Sequence, residues 1–165
     1  AISIHGRTRA QMYKGKADWT LISRVKNNPR MSIPVFGNGD VDSPEKARIM
    51  RDKYGLDGAM IGRASIGNPW FFKQVKEYLE SGNLSEGPPL QERIAIAKRH
   101  LEMSIKWKGE RLGLLETRRH YSNYFKGLTN FKPYRTRLVT GETIPEVMSV
   151  FNELEERTEI LEATV

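Results

Sequence analysis

The chain has 165 residues, a net charge of +7 and no cysteine, with 38% hydrophobic and 28% charged residues. That describes a globular chain with enough length to bury a core, and it excludes disulfides, thiolate metal sites and a cysteine nucleophile or acid within these residues. No apolar run approaches the ~20 residues of a membrane-spanning helix, so no membrane partner is expected. The opening Ala1-Ile2-Ser3-Ile4, without a methionine, reads as a chain cut from something longer.

Residues 1–82 repeat one pattern three times. A short apolar run ends in a glycine-bearing loop, and an amphipathic helix follows. Ala1–Ile4 leads into His5-Gly6-Arg7-Thr8, Ile33–Phe36 into Gly37-Asn38-Gly39-Asp40, and Ala59–Ile61 into Gly62-Arg63-Ala64-Ser65. Runs without polar alternation suit strands of a parallel sheet covered on both faces. Asp18 is placed to cap a helix carrying Trp19, Ile22 and Val25. Ser43-Pro44 supplies a cap and a first-turn proline for a helix that Gly55 ends, and Asn68-Pro69 repeats the device before Trp70 and Phe71. The unit is βα, and the fold class is α/β. Three units form either a small open sheet or the last part of an eightfold (β/α)8 barrel, which takes roughly 250 residues. The abrupt start favours the C-terminal portion of such a barrel.

Residues 83–89, rich in glycine and proline, read as a linker, and 90–165 as a small all-α bundle. Ile94, Ala97, Leu101 and Ile105 form one apolar stripe; Leu114, Tyr121, Phe125 and Leu128 form another. Thr143 and Glu146 have capping-box spacing ahead of Val147, Val150, Phe151, Leu154 and Leu161. Charge is uneven along the chain: +5 over 1–90, +8 over 91–140 and −6 over 141–165. A concentrated basic block suits a polyanionic partner, nucleic acid first, or else a solvated lysine- and arginine-rich face.

The loops Gly37–Asp40 and Gly62–Gly67 follow apolar runs, where glycine lets backbone N–H groups approach an anion, and Arg63 adds a positive charge. Together they suggest a phosphate site; separately they read as tight βα turns. His5 ends the first strand run on the same rim, as a group for bonding a ring or phosphate or as a loop histidine bonded to backbone. Asp40 reads as an acceptor for a sugar hydroxyl or as a turn residue. In the helical part, Arg119, Ser122 and Lys126 share a helical face flanked by Arg118 and His120, and Lys132, Tyr134, Arg135 and Arg137 follow in a stretch that reads as loop. Basic groups interleaved with aromatics grip phosphates and stack on bases. Three scattered histidines and no cysteine give no metal-ligand cluster.

His5-Gly6-Arg7-Thr8-Arg9, Tyr13-Lys14-Gly15-Lys16-Ala17-Asp18-Trp19, Ile33 to Asp40 and Met60 to Trp70 resemble the bacterial tRNA-dihydrouridine synthases. Arg118-Arg119-His120 and Tyr124-Phe125-Lys126-Gly127-Leu128 resemble the helical domain of the same family. The resemblance implies a cytoplasmic oxidoreductase: an FMN-binding barrel domain, here 1–82, followed by a tRNA-binding helical domain, here 90–165. It places His5 beside the flavin, and Asn38, Gly39, Asp40, Gly62 and Arg63 in the FMN-binding loops. It makes Arg118, Arg119, Lys126 and Arg135 candidates for RNA contact, with NADPH as the reductant. The family's acid is a cysteine, expected before Ala1, so catalysis by this chain alone is not expected. A non-enzymatic RNA-binding fragment, or a flavin- or phosphate-binding barrel acting on a small metabolite, are the other readings. Exposed strand edges imply self-association.

Overall fold

The computed structural model describes residues 1–158 and Leu161. They form two compact units, residues 1–86 and the described residues from 87 onward.

The first unit is a three-stranded parallel sheet, β1 (Ile2–His5), β2 (Val35–Asn38) and β3 (Gly58–Met60), in the order β1-β2-β3. The register sets His5 opposite Asn38, and Asn38 opposite Met60, so the carboxyl ends of the strands line up in one row. Helix α1 (Thr20–Lys26) and α2 (Pro44–Lys53) make the two crossovers, and α3 (Phe71–Ser81) follows a single 3-10 turn at Arg63–Ser65. The core joins Trp19, Ile22, Val35, Val41, Ala47, Leu56, Phe71 and Val75. Only β2 is well covered, with Val35 and Gly37 buried; in β1, Ile2, Ser3 and His5 stay exposed. The expectation of strands covered on both faces therefore holds for the middle strand alone, because β1 and β3 are the outer strands here.

The caps follow the sequence in part. The Ser43 side chain accepts from the Lys46 N–H, with Pro44 in the first turn, and Gly55 sits at φ 63 just past the helix. Asp18 acts one step early: its Oδ1 accepts from the Thr20 N–H at 2.9 Å, and α1 starts at Thr20, leaving Trp19 outside the helix. Asn68 does not cap α3. Its amide donates back to the Ala64 carbonyl at 3.2 Å, spent on the turn that precedes the helix.

The second unit contains α4 (Leu90–Lys108), α5 (Glu110–Tyr124), α6 (Lys132–Thr140) and α7 (Ile144–Glu156). Leu101, Tyr121, Phe125, Leu138, Phe151 and Leu154 are buried, with Tyr121 edge-on to Phe151 at 5.7 Å and Phe125 against Phe131 at 4.9 Å. At Gly113 α5 comes close against α4: a Cβ there would lie 2.7 Å from Ile105 Cα. Thr143 accepts from the Glu146 N–H as its spacing predicts. Residues 132–140 are helix rather than loop. Pro133 sits in the first turn and Tyr134 and Leu138 turn inward one turn apart, an apolar signal too sparse among basic residues to show as periodicity.

A side chain at Gly37 has no room: a Cβ would lie 2.2 Å from Trp19 Cζ3 and 2.7 Å from Leu56 Cδ1. Gly37→Ala is expected to destabilise the first unit by roughly 1–3 kcal/mol through overpacking. Urea titration followed on the amide resonances of residues 1–86 measures it, with residues 87–165 as the internal control.

Candidate functional site

The carboxyl ends of β1, β2 and β3 open onto a cavity of about 770 Å³ lined by His5, Asn38, Gly39, Asp40, Gly62 and Arg63, together with Tyr13, Val41, Asp42, Met60, Ala64 and Ile66. All six flavin-loop candidates from the sequence thus meet around one space. Its size falls within the roughly 300–1,000 Å³ common for small-molecule sites, and parallel sheets bind ligands at this end.

One amide ties the strand ends together. The Asn38 Nδ2 donates to the Met60 carbonyl at 2.7 Å, so its Oδ1 is the acceptor facing His5 Nδ1 at 2.5 Å. His5 must then carry its proton on Nδ1, and in the neutral ring Nε2 is an acceptor. Gly39, at φ 126, sits against this ring: a Cβ would lie 2.6 Å from Ala17 Cβ and 3.4 Å from His5 Cε1. Below it the Trp19 indole N–H donates to the Gly39 carbonyl at 3.0 Å.

Asp40 is not a free acceptor. Arg7 Nη2 donates to both its oxygens, at 2.8 and 2.6 Å; the Ala17 N–H donates at 2.8 Å, and Arg63 Nη2 at 3.2 Å. Burial alone would raise the carboxyl, but these hydrogen bonds and the charges of Arg7 and Arg63 outweigh it and hold the group below its usual value. The Arg7 side chain is only 2% exposed and also donates to the Lys14 and Gly15 carbonyls, so it clamps the excursion from β1 to the loop after β2. Arg63 is different, with a side chain 57% exposed. Its guanidinium lies 4.7 Å from the centre of the Tyr13 ring, held between that face and Asp40. Arg7 and Tyr13 stand inside the motifs quoted above, but spacing alone could not show that the loop between them folds back over the rim.

The basic candidates of the helical unit separate. Arg119, Lys126 and Arg135 are exposed. Arg118 turns inward: its Nη2 donates to the Gly141 carbonyl at 2.7 Å and its Nε is buried, so it ties α5 to the end of α6 and stands apart from that face. Helix α5 ends at Tyr124 and the chain turns at Gly127, φ 92, so Lys126 does not continue the helical face of Arg119 and Ser122. Arg93 donates to the Tyr124 and Lys126 carbonyls and closes that helix end. Among the described residues no group of three acidic, histidine or cysteine side chains could hold a metal ion, and no helix is long and apolar enough to cross a membrane.

The chain matches the family described as Dihydrouridine synthase (Dus) over residues 1–162. It belongs to the dihydrouridine synthase family. It is 39% identical to tRNA-dihydrouridine synthase B of Pseudomonas aeruginosa over 137 residues, 83% of this chain and 41% of that protein. It is 44% identical to tRNA-dihydrouridine synthase B of Vibrio parahaemolyticus over 126 residues, 76% of this chain and 38% of that protein. A probable tRNA-dihydrouridine synthase of Rickettsia conorii is 39% identical over 134 residues, 81% of this chain and 40% of its own length. The chain therefore spans about two-fifths of the length of these curated relatives. The strand-end cavity and all the described residues of the helical unit fall inside the span that matches the family.

His100, His120 and Tyr124 cluster between α4 and α5. The two imidazoles are edge-on at 4.5 Å, His100 Nδ1 lies 3.0 Å from the Tyr124 hydroxyl, and Arg119 Nε donates to His120 Nε2 at 3.3 Å. Burial, then the charges of His100, Arg119 and Lys108, lower His120 from 6.5 to about 4. Burial, then Lys108 and Arg119, lower His100. A folded-state value below the unfolded one means that the unfolded chain takes up the proton first. Stability of the second unit is therefore expected to fall as pH drops from 6.5 towards 4, the loss saturating below the folded value. Denaturation midpoints across that range test this, and His120→Gln should flatten the slope.

Proposed function

We propose that this chain forms part of a flavin-dependent tRNA-dihydrouridine synthase. In this reading β1–β3 and their helices are the last βα units of an eightfold barrel, residues 1–82 hold one wall of the FMN site, and residues 90–165 bind tRNA. The observation that carries the reading is the convergence of His5, Asn38 and Arg63 on one cavity at the strand ends of a chain of this family.

The residues fit FMN. A Cβ built on Gly62 meets nothing within 4 Å, so the backbone there is open to a ligand. Arg63 presents a preset guanidinium for a phosphate, and the Nδ1–H tautomer of His5 leaves Nε2 as an acceptor for a ring N–H. Asn38 fixes that tautomer. Asp40, fully engaged, holds Arg63 and the loop rather than a sugar hydroxyl, and Gly39 lets the loop lie against the His5 ring. The chemistry FMN supplies when bound is hydride transfer to the uracil ring, with NADPH as the source of reducing equivalents. Arg119, Lys126 and Arg135, exposed on the helical unit, are suited to RNA phosphates, which position without reading sequence.

In the complete enzyme, Arg63→Ala is expected to weaken FMN binding by roughly 10- to 150-fold, the worth of a hydrogen bond to a charged group. Flavin fluorescence titration measures it, and an unchanged dissociation constant assigns Arg63 a purely structural role. The 165-residue chain itself, which has no cysteine to act as the acid, is expected to bind tRNA in a salt-dependent way but to form no dihydrouridine with FMN and NADPH. Filter binding across a salt series and dihydrouridine assay of the recovered tRNA read the two halves separately.

A further inference from the structure

The helical unit has a second cavity, of about 400 Å³, lined by Tyr134 and Arg137 of α6, Glu153 of α7, Arg157 just beyond α7, and Thr129 and Asn130 ahead of α6. Among the described residues Glu153 is the only carboxylate lining it, facing two guanidiniums. Arg137 makes a short ion pair with Glu153 Oε2. Arg157 Nη2 stays 3.9 Å from Glu153 Oε1, beyond hydrogen-bond distance, while its Nη1 donates to the Tyr134 hydroxyl at 3.3 Å. Among the described lining residues, one positive charge is left uncompensated. Arg157 is also the sole lysine or arginine among residues 141–165, which carry seven acidic side chains.

We propose that this cavity binds a phosphoryl oxyanion, received by Arg137 and Arg157. Paired guanidinium forks match the oxygen geometry of phosphate, and a singly charged phosphodiester would neutralise the site. The same chemistry has two sources: a backbone phosphate of RNA or a free phosphorylated small molecule. The RNA source rests on the tRNA reading above; the pocket itself does not.

Glu153 competes with the incoming anion for both arginines, which gives the test its sign. Dimethyl phosphate and inorganic phosphate are titrated into the 165-residue chain while the arginine Nε–Hε resonances are followed by NMR. Both anions are expected to shift Arg137 and Arg157. Arg157→Gln should weaken dimethyl phosphate binding roughly tenfold or more, and Glu153→Gln should tighten it several-fold, since charge-assisted hydrogen bonds are the strong ones. If Arg157→Gln loses helical circular dichroism, Arg157→Lys and Glu153→Gln still give the direction. Addition of tRNA then separates the sources: tRNA that displaces dimethyl phosphate marks the pocket as a backbone-phosphate site, and tRNA that binds without displacing it leaves a free phosphorylated molecule as the ligand. No shift of Arg137 and Arg157 with either anion, or weaker binding in Glu153→Gln, overturns the pocket even if tRNA binds the chain elsewhere. Phosphate binding here by a chain that does not bind tRNA keeps the pocket and overturns the tRNA reading instead.

Discussion

The Trp19 indole lies beneath the loop after β2, and the strand-end cavity depends on where it sits. Its ring edge occupies the space a side chain would take at Gly37, and its N–H holds the Gly39 carbonyl. The indole is wholly buried, so its hydrogen bond is made away from water and its position is set by close packing. With Gly39 fixed, Asp40 is presented to Arg7 and Arg63, and Asn38 to His5 and Met60. Five polar side chains on three strand ends thus take their places from one buried aromatic ring three residues ahead of Ile22 in the same core.

Much of this was legible before any coordinates. The βα order, the Ser43-Pro44 cap, the Thr143 cap and the apolar stripes of α4 and α7 all follow from local pattern, because each depends on neighbours within one turn. The His5, Asn38 and Arg63 loops were legible as a group through motif resemblance, and the sheet brings them together. Reasoning from spacing failed where a long-range partner decided. Arg118 and Arg119 are adjacent and chemically identical, yet one turns inward to the Gly141 carbonyl and the other stays in solvent. Asp40 reads as an open acceptor until Arg7, 33 positions earlier, is seen to consume it. Helix α6 was hidden because only Tyr134 and Leu138 turn inward along it, too few to set a helical period.

The charge distribution gains meaning from the same contacts. The +8 of residues 91–140 is not spread evenly over a surface: part is spent inside the unit, as Arg93 on helix-end carbonyls and Arg118 on Gly141, and only the remainder is exposed. The −6 of residues 141–165 is likewise drawn upon, with Glu153 and Glu155 receiving Arg137 and Lys98. Net charge along the sequence therefore overstates the field that either segment presents to solvent.

The clamp made by Arg7 reaches further than its ion pair. The excursion from Arg7 to Ala17 is a long surface loop, of the kind that ordinarily samples many conformations and must be ordered when a ligand arrives. Here Arg7 holds it at Lys14 and Gly15, Asp40 holds it at Ala17, and Asp18 returns to the Gly6 carbonyl. Its freedom is removed during folding, so a ligand entering the cavity meets a wall already in place and keeps more of its contact energy as affinity.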